Sequence, residues 1–389
     1  VTVTHPKGFR ASGVAAGLKP SGNPDVALVV NDGPDYTAAA VFTANRVKAA
    51  PVLWSQQVVK GGVIRAVVLN SGGANACTGS QGFRDTHATA EHTASTLRTT
   101  KKMMIGPGDV AVCSTGLIGE LLPMDKLLPG VNAAVKALAA DGGEQAAQAI
   151  MTTDTVAKNS VASRDGWSVG GIAKGAGMLA PALATMLVVI TTDASADNET
   201  LDAALRAATR VTFDRIDADG CMSTNDTVLL LASGASDRQP SLEELTAAVT
   251  EVCHDLAQQL ITDAEGATKH IAIEVAGAAT EADAVQVGRS VAGNNLVKTA
   301  FFGNDPNWGR ILAAVGTTTA AFEADRIDVA INGVWVCRNG AAAEDRSKVD
   351  LSGRDVRVTI NLHEGELNAT IWTTDLSHAY VHENSAYSS

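Results

Sequence analysis

Aromatic residues make up only 4% of this chain of 389 residues, so its interior must be built from aliphatic side chains and alanine around 36 glycines. Concentrated positive charge is missing too. The formal net charge is −12 and the basic residues are scattered. Phosphate neutralisation needs clustered Lys and Arg, so no nucleic-acid partner is expected. The densest basic pair, Lys101-Lys102, reads as a solvated turn. The five cysteines, Cys77, Cys113, Cys221, Cys253 and Cys337, are odd in number, far apart and without a C-x-x-C, which suggests neither a disulfide framework nor a zinc ribbon. That usage fits a reducing, cytoplasmic setting. The eight histidines are dispersed; His363 and His382 each precede a glutamate but have no second ligand at useful spacing, so no metal is expected. Nucleotide signatures fail as well. There is no G-x-x-x-x-G-K-[ST], and Gly175-Ala176-Gly177 lacks the third glycine and the acidic partner of a dinucleotide fingerprint, so no cofactor is expected. VTVTHPKGFRAS does not read as a signal peptide. The uncharged run between Lys174 and Asp193 approaches membrane-span length, yet Gly175, Gly177, Pro181 and several threonines make it loop plus buried strand rather than a span, so no membrane partner is expected.

What is present is a chain with 46% hydrophobic residues, long enough for two core-bearing units. VALVVND, YTAAAVFT, IRAVVLNS and DVAVCSTG read as strands, with Asp32-Gly33-Pro34-Asp35 as a turn. Helical spacing covers Asp85 to Leu97, Asp125 to Leu138 and Leu201 to Ala208. The clearest helix starts at Ser241, which forms a capping box with Glu244 and then presents Leu242, Leu245, Val249, Val252, Leu256 and Leu260 on one face. It runs out near Asp263-Ala264-Glu265-Gly266, delivering a carboxylate at a helix-to-loop junction. Two more buried strands are TMLVVITT and TVLLLASG. From about residue 270 the chain reads as hairpin-rich, with VRVTINL and LNATIWTTD flanking a turn at His363-Glu364-Gly365-Glu366. Strands and helices alternate without a strict βαβ repeat, so the fold class is α+β, with mixed β-sheets covered by helices.

One junction stands out. Ala184-Thr185 ends a glycine-rich approach and opens the apolar run from Met186 to Thr192. A threonine hydroxyl is a poor nucleophile unless a base sits beside it. If the preceding peptide bond is cut, the new α-amine of Thr185 is that base. A structural threonine at a strand entrance is the plainer reading of the local pattern. Cys113-Ser114-Thr115-Gly116 closes a strand, where a glycine turn can aim a backbone N–H and a threonine hydroxyl at one point, as an oxyanion hole requires. Asn70 to Gly79 could cradle an anion after a strand but reads more readily as a structural glycine-rich turn, and Asn304 to Arg310 reads as architecture, a tight turn bracketed by an Arg–Asp pair, ahead of a catalytic role.

KGAGML with ATML, CSTGLIG, MTTDT (Met151 to Thr155), DGCMSTNDT, DAEGATK, GNDPNWGR and the ENSAYSS end occur in the order that resembles the ornithine acetyltransferase family of arginine biosynthesis, over nearly the whole chain. Before the cut many members carry His-Pro-Asn-Met-Ala-Thr; this chain has Ala180-Pro181-Ala182-Leu183-Ala184-Thr185 and keeps the Ala-Thr junction. The resemblance implies the self-cleaving DmpA/ornithine-acetyltransferase-like architecture, autoproteolysis between Ala184 and Thr185, and an α chain of 1–184 with a β chain of 185–389, paired as α2β2. It implies Thr185 as nucleophile, Thr115 and Gly116 as the oxyanion-hole pair, and substrate contacts at Thr152, Lys174, Thr185, Glu265, Asn384 and Ser389. The substrates implied are N-acetylornithine and glutamate. Lys174 would suit an α-carboxylate and Glu265 the ornithine ammonium. Acetyl-CoA as a further donor is left open. The rival readings are an N-terminal-nucleophile aminopeptidase or amidase, and a non-catalytic amino-acid-binding protein.

Overall fold

A computed structural model describes residues 2–179 and 186–386. Among the described residues there are three sheets. The first has the order β1-β2-β4-β5, from β1 (Phe9–Val14), β2 (Val26–Asn31), β4 (Ala66–Ser71) and β5 (Val110–Thr115). The second has the order β3-β9-β8-β7-β6, from β3 (Ala38–Phe42), β6 (Lys158–Arg164), β7 (Trp167–Lys174), β8 (Leu187–Thr192) and β9 (Thr227–Ala232). Strands β2, β4, β5, β8 and β9 are buried along their whole length. That burial is why they read as unbroken apolar runs rather than as alternating strands.

The core residues define the layers. Ala27, Val29, Val67 and Leu69 of the first sheet meet Ile172, Leu187, Val189 and Leu229 of the second, so the two sheets stack face to face. The outer face of the first sheet is covered by α2 (Gly79–Lys101) and α3 (Met124–Ala137), through Ala90, Leu97, Leu127 and Val131. The outer face of the second is covered by α5 (Asn198–Val211) and α6 (Leu242–Thr262), through Leu201, Leu205, Val252 and Leu256. The result is a helix–sheet–sheet–helix sandwich, with α1 (Ala50–Val59) and α4 (Gly143–Ala149) contributing Val58, Ala146 and Ala149 to the space between the sheets. The capping box of Ser241 and Glu244 opens α6 as its sequence requires. Gly170 in β7 has a specific reason: a Cβ there would lie 2.4 Å from the Thr2 carbonyl.

The cut expected between Ala184 and Thr185 does not fall at a domain boundary. β7 and β8 lie on either side of it and pair antiparallel, from Lys174↔Leu187 to Val169↔Thr192. Two chains produced there would share one sheet and one core.

The third sheet has the order β13-β12-β11-β14-β10-β15. It comprises β10 (His270–Ala278), β11 (Asp328–Ile331), β12 (Val334–Arg338), β13 (Ala341–Ala342), β14 (Asp355–Asn361) and β15 (Leu367–Thr374). It carries α7 (Glu281–Ala292), α8 (Asn295–Phe302) and α9 (Trp308–Val315), and α10 (His378–Ala386) follows. The hairpin expected around residues 363–366 is corrected here. β14 and β15 both form, but β10 lies between them, parallel to β14 and antiparallel to β15. The connecting turn bonds to the end of β10, where Glu364 N donates to Gly277 O at 2.7 Å. A turn signal between two alternating segments does not reveal a third strand from far back in the chain. Sequential antiparallel pairs in this sheet form at β11–β12 and β12–β13. The Arg–Asp pair expected to bracket Asn304 to Arg310 does not form either. Arg310 Nη1 donates to Leu296 O at 2.8 Å, and Asn307 caps α9 through Arg310 N.

Candidate active site

The site lies at the end of the sandwich where β5 and β7 finish and β8 and β9 begin. β5 ends at Thr115, and Gly116 follows with φ +130°, a conformation that favours glycine. A Cβ on Gly116 would lie 2.5 Å from Gly73 N, the atom that donates to Thr115 O at 3.0 Å. Asn225 clamps the same turn: its Nδ2 donates to Ser114 O at 2.8 Å and to Ala74 O at 2.7 Å. The Asn70 to Gly79 segment is therefore architecture that fixes the Thr115–Gly116 turn.

Lys174 closes β7 with its side chain buried. Its Nζ donates to Thr152 Oγ1 at 2.7 Å and to Thr115 Oγ1 at 3.1 Å. Burial lowers its pKa, with Lys158 adding to the effect, while Asp154, Asp226 and Glu265 oppose it. Behind Lys174 stands Asp154. Its Oδ1 accepts from Lys158 Nζ at 2.7 Å and Gly175 N at 2.7 Å, and its Oδ2 accepts from Thr152 N at 3.0 Å and lies 4.0 Å from Lys174 Nζ. Burial pushes the Asp154 carboxyl up, but attraction to Lys174 and Lys158 with these hydrogen bonds outweighs it and brings the pKa down to about 2. Lys158 also donates to Asp263 at 2.7 Å, tying the network to the end of α6.

Glu265 follows α6. Its Oε1 accepts from Thr153 Oγ1 at 2.7 Å and its Oε2 from Asn384 Nδ2 on α10 at 2.8 Å. Its backbone N donates to Ala176 O at 3.0 Å. One cavity gathers Thr115, Gly116, Thr152, Lys174, Glu265 and Asn384 together with Thr153, Gly177 and Met178. All six expected site residues that fall within the described part of the chain meet there. Ala184, Thr185 and Ser389 lie outside the described residues. Lys174 brings a cation and Glu265 a carboxylate to this one cavity, which suits a small molecule carrying both charges on a short chain.

The sequence alone does not single out Thr153, Asp154, Lys158 or Asp226. Both segments that hold most of them, MTTDT and DGCMSTNDT, had been singled out. Among the described residues, no group of three or more His, Cys, Asp or Glu could hold a metal ion, and no helix is long and apolar enough to cross a membrane.

A family model for the ArgJ family matches residues 10–389. The chain belongs to the ArgJ family. It is 67% identical over 389 residues to the arginine biosynthesis bifunctional protein ArgJ of Streptomyces avermitilis, covering 100% of both chains. It is 59% identical over 390 residues to the protein of the same name from Mycobacterium tuberculosis, covering 100% of this chain and 96% of that protein. Among solved structures, the ornithine acetyltransferase of Mycobacterium tuberculosis complexed with ornithine is 60% identical, covers 48% of this chain and 96% of that chain, and gives a TM-score of 0.46. The family is the one that the motifs from KGAGML to GNDPNWGR resembled.

Proposed function

We propose that this chain cleaves itself between Ala184 and Thr185 and then moves the acetyl group of N-acetylornithine to glutamate through Thr185, in arginine biosynthesis. The family match and the relatives' names support the reaction class. The observation that carries the site assignment is the contact of Lys174 Nζ with Thr115 and Thr152, in a cavity that Glu265 also lines.

In cleavage, Thr185 Oγ bonds to the Ala184 carbonyl carbon, the Ala184–Thr185 amide bond breaks, and the departing nitrogen takes a proton. Water then hydrolyses the ester and leaves Ala184 as a carboxylate. In transfer, Thr185 Oγ attacks the acetyl carbonyl and gives its proton to the new α-amine, which passes it to the departing amine of ornithine. The amine of glutamate then attacks the acetyl-threonine ester and regenerates the hydroxyl. Thr115 O–H and Gly116 N–H face the developing oxyanion. Because Lys174 is the donor toward Thr115 Oγ1, the Thr115 hydrogen is left for that oxyanion, and the buried cation polarises the hydroxyl. Thr152, Asn384 and Ser389 hold the amino-acid backbone, and Glu265 holds the ornithine ammonium by exchanging its bonds to Thr153 and Asn384 for the ligand.

Assembly as two α and two β chains in the cytoplasm belongs to the same proposal, as does acetylation of glutamate from acetyl-CoA, the second activity suggested by the relatives' designation as bifunctional. Incubating N-acetylornithine with and without glutamate tests the reading against its hydrolase rival. Acetylglutamate formed only with glutamate supports it. Acetate released at the same rate in both tubes makes the protein an amidase.

A further inference from the structure

α10 brings Asn384 to the cavity, yet none of its residues is buried. A helix with no face in the core is held by its polar bonds, and such elements open locally at little cost. Just ahead of the helix, Ser377 Oγ donates to Gly266 O at 2.5 Å. His378 meets Phe302 of α8 edge-on, with ring centroids 5.3 Å apart. Near the other end, Asn384 Nδ2 donates to Glu265 Oε2 at 2.8 Å. Between these, Tyr380 O–H donates to Asp219 Oδ2 at 3.3 Å.

Asp219 belongs to the DGCMSTNDT segment, and the transfer mechanism above does not use it. The same Oδ2 accepts from Met178 N at 2.8 Å, and Oδ1 accepts from Cys221 N at 3.2 Å. Met178 lines the cavity with φ +54°, a left-handed conformation that costs energy in a residue other than glycine and that this bond helps to hold. One carboxyl oxygen therefore grips two parts of the cavity wall: the Met178 backbone and, through Tyr380, the helix that carries Asn384. Burial raises the Tyr380 pKa, with the Asp219 charge adding to the effect, so the hydroxyl stays protonated and donates. The bond from Asn384 to Glu265 is the one that the ornithine ammonium displaces in the proposed reaction. With substrate bound, α10 keeps the Tyr380 bond while Asn384 turns to the amino-acid backbone. We propose that Asp219 and Tyr380 are positioning residues that hold α10 in place at the cavity so that Asn384 meets the substrate. The inference rests on the reading of Asn384 as a substrate contact.

Tyr380→Phe removes the hydroxyl and leaves the bonds of Asp219 to Met178 and Cys221 in place. Initial rates with N-acetylornithine and glutamate give KM and kcat for this variant, for Asn384→Ala and for the two combined, and thermal melting establishes that each is folded. Tyr380→Phe should raise the KM for N-acetylornithine about three- to tenfold, with kcat and the melting temperature little changed. Asn384→Ala should raise it as well. Adding Tyr380→Phe to Asn384→Ala should raise it no further, because the hydroxyl acts only through Asn384. An unchanged KM in Tyr380→Phe overturns the proposal. So do effects that multiply in the combined variant, which would give Tyr380 a role apart from Asn384. A fall in kcat as large as the rise in KM also overturns it, since a general loosening of the site would cause that. A KM unaltered by Asn384→Ala overturns the Asn384 reading on which the proposal rests, and that single variant tells this failure from the others.

Discussion

Lys174 Nζ donates to the Thr115 hydroxyl at 3.1 Å from a buried position, joining the end of β7 to the end of β5 across the two stacked sheets. Under the proposed mechanism the bond would give the lysine a role beyond attracting a carboxylate, its charge reaching the reaction through a hydroxyl. Lys174→Met should lower the single-turnover acetylation rate by about a hundred- to a thousandfold, the usual loss when an oxyanion donor is disabled. A rise in KM with kcat unchanged would show that Lys174 serves substrate binding alone.

Asp154 should govern acid stability. Its folded pKa of about 2 lies below the ordinary carboxylate value of about 3.9, so its contribution is complete above pH 4 and is lost as the pH falls toward 2. Asp154→Asn should cost roughly 3–5 kcal/mol at neutral pH, because it leaves Lys158 and Lys174 buried with one carboxylate fewer. Denaturant melts from pH 7 down to pH 2 check both points. The variant should lose less stability than the wild type between pH 4 and pH 2.

Glu265→Gln keeps an acceptor for Thr153 but removes the charge opposite Lys174. The expected loss in kcat/KM with N-acetylornithine is about ten- to a hundredfold, the range for a hydrogen bond to a charged group. Discharge of the acetyl-enzyme by glutamate should suffer less, since glutamate carries no side-chain ammonium. Equal losses in the two half-reactions would assign the charge differently.

Gly116→Ala should disturb the turn itself. The added Cβ meets Gly73 N at 2.5 Å, and φ +130° is strained for alanine. The variant should fold, with the acetylation rate down about a hundredfold and self-cleavage slowed, read by the time course of fragment appearance. Wild-type rates would remove Gly116 from the oxyanion hole.

The legible parts of this fold were those where local chemistry decides. Ser241 and Glu244 announced α6, and the uncharged runs at β2, β4, β5, β8 and β9 announced strands buried on both faces. Pairing was not legible. β10 enters between β14 and β15 from nearly eighty residues upstream of the first of them, and only the packed sheet shows it. The site followed the same division. Thr115, Gly116, Thr152, Lys174, Glu265 and Asn384 stand in motifs, and the structure gathers them around one cavity. Asp154, Lys158 and Asp263 act through burial and mutual attraction, and an acid–base pair four residues apart in sequence looks the same whether it ends in solvent or in a core.

The central claim is that Thr185 is freed by cleavage and then carries the acetyl group. Intact mass under denaturing conditions, before and after N-acetylornithine and again after glutamate, addresses both halves at once. The expected spectrum has two fragments with a junction between Ala184 and Thr185, the fragment beginning at Thr185 gaining one acetyl group with N-acetylornithine and losing it to glutamate. A single full-length species in active enzyme, or two fragments that never gain an acetyl group while acetylglutamate accumulates, would contradict it.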